Sequence, residues 1–200
     1  MATLDVNRLM DNLRVRLPGA VDNALRMEMF NTLNDFFQDT NIWFEDIGFE
    51  TVVGVKDYDL ISTSPSSIVR LISVTDNHDF VVGAYMDTPG ELQLRDAPAE
   101  VHDYTARVSL TVNDPIDREG YPVFPMWVLN KYQNDIIDGV LGRMMAQPAK
   151  PYSNAQLAVL HARKFSSSIA FARQEANRRN IYRGQRWAFP QSFSRLKTIR

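Results

Sequence analysis

The chain has 200 residues, 44% of them hydrophobic and 23% charged, an ordinary globular balance with enough length to bury a core. Its net charge is −2 and it has no cysteine, which excludes disulfides, thiolate metal sites and cysteine nucleophiles. No apolar run approaches the roughly 18 residues that cross a bilayer, so no membrane partner is expected.

The opening stretch, MATLDVNRLMDNLRVR, is amphipathic and lacks the apolar centre of a secretory signal, so synthesis in the cytosol is expected. Val6, Leu9, Met10, Leu13 and Leu17 recur at helical spacing, predicting a helix over 4–17 that Pro18-Gly19 closes. A second helix follows from Asp22 or Asn23, either of which suits the cap. Its inner stripe is Leu25, Met29, Leu33 and Phe36, and it runs out near Thr40. Ile42, Trp43 and Phe44 then form an aromatic plug at the helix end.

From about Thr51 to Asn113 the texture becomes β-rich. Strands are expected at TVVGV, SIVRLISVT, FVVGAYM and ELQLR. In a last strand Ala106, Val108, Leu110 and Val112 alternate with Arg107, Ser109, Thr111 and Asn113. Strict alternation predicts one apolar face and one face on water. Asp76-Asn77-His78-Asp79 and Asp87-Thr88-Pro89-Gly90 read as hairpin turns.

Helix returns after YPVFP, with Pro125 at the first helical position. Val128 or Leu129, then Tyr132, Ile136, Val140 and Met144 form its buried stripe as far as Gln147-Pro148. Ser153 and Gln156 read as a capping box that opens a helix reaching about Tyr182. Leu157, His161, Phe165, Ile169, Ala172 and Ala176 are its expected inner face. Beyond Gly184, residues 185–200 contain Pro190 and show no periodicity, so an extended arm is expected.

The predicted fold is α+β. A helical bundle from both chain ends (1–49 and 120–184) carries an inserted small antiparallel β module (50–119) and an extended C-terminal arm (185–200).

Reactive constellations are sparse. His78, His102 and His161 have no partners at metal-ligand spacing, and no HExxH, GxSxG, Walker-type loop or GxGxxG occurs. The pairs Glu45-Asp46 and Asp57/Asp59 read as solvated loop charge, since neither has a full ligand set. No catalytic residue, metal or cofactor is therefore expected, and the chain does not read as an enzyme.

Charge is unevenly distributed. Residues 161–200 hold ten Lys/Arg against one Glu, whereas residues 1–160 hold twelve against twenty-three Asp/Glu. Arg178, Arg179, Arg183, Arg186, Arg195, Lys197 and Arg200 are interleaved with Tyr182, Trp187, Phe189 and Phe193. Arginine with aromatics serves equally to anchor a protein interface and to hold phosphates and stack on bases. These residues form the candidate partner-binding set.

The segment LRVRLPGAVDNALRMEMFNTLNDFFQDTNIW resembles the opening of the head-to-tail adaptor (connector) proteins of tailed bacteriophages. There an amphipathic helix ends in Leu-Pro-Gly-Ala and a second helix closes on an aromatic knot. FPMWVLNKYQNDIIDGVLGRMMAQPAKPYSNAQLAVLHARKFSSSIAFARQEANRRN resembles the second half of that family, with a helix ending in Gln-Pro, a Pro-Tyr-Ser-Asn restart and a long final helix. The likeness covers about half the chain, and nothing is carried over to residues 50–119. It implies a non-enzymatic virion protein of the capsid vertex, forming a ring commonly of twelve copies beneath the portal protein. The ring would extend the DNA channel, pass genomic DNA without specific binding and dock tail or nozzle proteins. The bundle would make the subunit contacts, while the long helix and arm clasp the portal. The rival expectations are a nucleic-acid-binding protein using its basic tail, or another tail or baseplate component.

Overall fold

A computed structural model describes residues 3–113 and 122–180 of the chain. Helix α1 (Thr3–Arg16) buries Val6, Leu9, Met10 and Leu13 along one side, and Leu17 after it. Helix α2 (Asp22–Thr40) buries Leu25, Met29, Leu33, Phe36 and Phe37. Neither Asp22 nor Asn23 caps α2. Val21 holds the cap position without a side-chain bond, and Asp22 instead takes two hydrogen bonds from Arg14 at 3.0 and 2.7 Å. That pair draws the Asp22 carboxyl below its ordinary pKa and ties α1 to α2.

Among the described residues seven strands follow: β1 (Phe44–Glu50), β2 (Asp57–Asp59), β3 (Ser66–Asp76), β4 (Val81–Val82), β5 (Ala84–Tyr85), β6 (Glu91–Leu94) and β7 (Asp103–Val112). They form two antiparallel sheets, ordered β1-β7-β3-β4 and β2-β6-β5. Both expected hairpin turns are present. Asp76 Oδ1 accepts the His78 and Phe80 N–H groups at 2.9 and 2.8 Å between β3 and β4, and Gly90 turns β5 into β6 with φ 92°.

The expected helical bundle with a small inserted β module is overturned. Strand β7 packs against α2, and Ala106, Val108, Leu110 and Val112 share one hydrophobic core with Phe36, Phe37, Tyr132 and Phe165 of the helices. The sheets are thus a structural layer of an α+β fold. The apolar stripe of α2 is covered on one side by β7, whereas α1 packs on α3 and α2. Nor does the polar face of β7 meet water along its length. Ser109 is fully buried, Thr111 is 6% exposed, and the Thr111 hydroxyl donates to Asn34 Oδ1 of α2 at 2.8 Å.

Residues 51–55 are a turn, with Gly54 at φ 78°, and the extended strand lies instead at β1. FVVGAYM is divided between β4 and β5. Helix α3 (Met126–Met145) takes Pro125 as its cap and not as its first residue, so it begins one position later than expected. Helix α4 (Ala155–Asn180) is capped by Asn154, whose Oδ1 accepts the Leu157 N–H at 3.0 Å. Ser153 donates to the Gln147 carbonyl, so the expected capping box does not form.

Helix α2 is the central element. Its residues 28, 32, 35 and 39 face α3 and α4: Arg143 of α3 pairs with Glu28 and Asp35, Arg173 of α4 with Asp39, and Thr32 lies against Gly139. Its residues 34 and 38, about a third of a turn away, meet β7 and β3 through Thr111 and Arg70. Helix α2 thus touches α3, α4 and β7, while β5 of the smaller sheet lies against β3.

Candidate interaction surface

Of the sequence-predicted binding residues, Arg178 is exposed on the last turn of α4. The backbone of Arg179 continues that helix, but its side chain lies outside the described set. Tyr182, Arg183, Arg186, Trp187, Phe189, Phe193, Arg195, Lys197 and Arg200 also lie outside the described residues.

The surface leading to them is the outer side of α4. On its inner side Ala158, Phe165, Ala172 and Ala176 are buried. Leu157, expected inside, is 41% exposed, because the cap at Asn154 sets Ala158 on the buried line. On the outer side Leu160, Lys164, Ser167, Phe171, Gln174 and Arg178 are all exposed, with Phe171 at 64%. Their steps of four and three residues place them on a single stripe about 27 Å long. This face thus carries two exposed apolar side chains, Leu160 and Phe171, beside two cations. The signal in the sequence is the eleven-residue step from Leu160 to Phe171, three helical turns on the side opposite the inner stripe.

A second surface of opposite charge lies in the small sheet. Asp57, Asp59, Asp87 and Glu91 line an open cleft of about 350 Å³ with Tyr58 and Tyr85, and among the described residues no lysine or arginine lines it. Ile61 and Tyr85 are 79% and 46% exposed. The residues from 50 to 113 hold ten carboxylates against four cations, whereas α4 holds five cations against one carboxylate.

The other polar candidates have structural partners. Glu45 Oε2 accepts the Ser62 hydroxyl at 2.7 Å, and its Oε1 accepts the Thr63 N–H at 3.2 Å and the Thr63 hydroxyl. Burial raises the Glu45 carboxyl, but these hydrogen bonds outweigh it and hold the group below its ordinary pKa. Asp46 forms a two-pronged pair with Arg107 at 2.6 and 2.7 Å, whose guanidinium lies 4.7 Å over the Phe44 ring. His161 Nδ1 meets Asp138 Oδ1 at 2.7 Å, and His102 stacks on Tyr104. No group of three or more metal-ligating side chains occurs among the described residues, and no helix among them is long and apolar enough to cross a membrane.

No protein-family model matches the chain, and no curated protein matches it.

Proposed function

We propose that this chain is a structural virion subunit, a phage head-to-tail adaptor. Copies of it form a ring, expected at twelve, under the portal protein, extend the DNA channel and dock tail or nozzle proteins. The observation that carries the reading is the division of charge and aromatics along the chain. Residues 181–200 contain five Lys/Arg, four large aromatics and no Asp or Glu, and they follow an acidic folded body. Such a segment is suited to ordering on an acidic protein partner, with Trp187, Phe189 and Phe193 as anchors and the arginines steering the approach. The resemblance of both chain ends to the adaptors supports the portal as that partner.

The direct test images the protein mixed with its portal. A coaxial ring added to the portal is the expected result. Bare portal particles, together with DNA binding that falls steeply with salt, would replace this reading with nucleic-acid binding by the same tail.

A further inference from the structure

We infer that the outer stripe of α4 in one copy docks on the acidic face of the small sheet in the next copy, making a head-to-tail subunit junction. The inference rests on the ring-subunit reading and names the surfaces that would close the ring.

The two surfaces match in kind. The α4 stripe presents Leu160 and Phe171 flanked by Lys164 and Arg178. The sheet face presents Tyr85 beside Asp57, Asp59, Asp87 and Glu91. Apolar side chains surrounded by unlike charges on the two sides give both burial and orientation, whereas either surface meeting its own copy would set like charges together.

The two surfaces belong to different elements: α4 packs on α3 and α2, and the small sheet meets β3 through β5. A copy engaged through its α4 stripe alone keeps its sheet face open for a third copy. An interface between two unlike patches propagates until rotation closes it. Phe171 and Tyr85 would lie near the centre of the junction, with the charges around them.

The chain has no native cysteine, so single-cysteine variants of the full chain report the contact directly. Ser167→Cys and Thr88→Cys proteins, which keep Phe171 and Tyr85, should on mixing and oxidation form a disulfide-linked heterodimer about tenfold faster than Ser167→Cys with Val15→Cys, an exposed control on α1. Equal rates would overturn the junction. Adding Lys164→Glu to the Ser167→Cys chain should erase the advantage, and Asp59→Lys on the Thr88→Cys chain should restore it. Failure to restore it would overturn the pairing of these charges. The two readings separate on the portal. If the charge-reversed chain still forms a ring there, the junction falls and the adaptor reading stands. If cross-linking succeeds but no ring appears on the portal, the adaptor reading falls and the junction stands.

Discussion

The Tyr132 hydroxyl donates to Glu175 Oε2 at 2.8 Å, joining α3 to α4 at the residue where α3 leaves helical geometry, with φ −114° and ψ 17°. The ring of Tyr132 is buried 5.2 Å from that of Phe36, and Lys131 Nζ reaches the same carboxylate at 2.5 Å. One acidic side chain thus holds both residues at the bend. Tyr132→Phe, which keeps the ring and removes the hydroxyl, should cost about 1 kcal/mol in urea unfolding. Tyr132→Ala should cost about 3–5 kcal/mol, because it opens a cavity beside Phe36.

Gly139 sets the spacing of three helices. A methyl group built there would collide with Thr32 of α2 and stand 2.9 Å from the Phe165 ring of α4. Gly139→Ala should therefore destabilise the protein by about 1–3 kcal/mol, although alanine favours helix. A denaturation midpoint equal to wild type would show that α2 and α4 give way without cost.

Glu45 gives the fold a pH dependence of known sign. Its carboxyl is held below the ordinary value in the folded chain, so its contribution is present above the unfolded pKa and lost as pH falls through the folded one. Glu45→Gln should cost about 1 kcal/mol at pH 7. It should also flatten the loss of stability as pH falls through and below the ordinary glutamate range, read as urea midpoints against pH.

Removing residues 185–200 should leave helical content and the unfolding midpoint near wild type and abolish binding to portal. Undiminished portal binding by the shortened chain would assign recognition to the folded body.

The helices were legible because their buried residues recur with one period. Val6 to Leu17, Leu25 to Phe36 and Val128 to Met144 are buried as spaced. The caps were not, since Asn154 and Ser153 offer similar chemistry and the chain direction after Pro151 decides between them. Strand β1 escaped because FEDIGFE carries three carboxylates and gains its strand form from β7, where Phe44 opposes Ser109 far along the chain. Conversely, Val52, Val53 and Val55 have strand-forming side chains, but all three are exposed in a turn. Arg178 was legible as an exposed cation, whereas Phe171 was not. An exposed phenylalanine on a helix is told from a buried one only when the neighbours of that helix are known.

The position of β7 also constrains synthesis. Among the described residues it is the last strand translated, yet it lies between β1 and β3 in the larger sheet. Until residue 112 has left the ribosome, β1 and β3 lack the partner between them, and Ile68, Leu71 and Val74 emerge on an unpaired edge. Folding of the nascent chain therefore waits for a late, long-range closure, and the vulnerable interval for aggregation is the time taken to translate the stretch from β3 to β7.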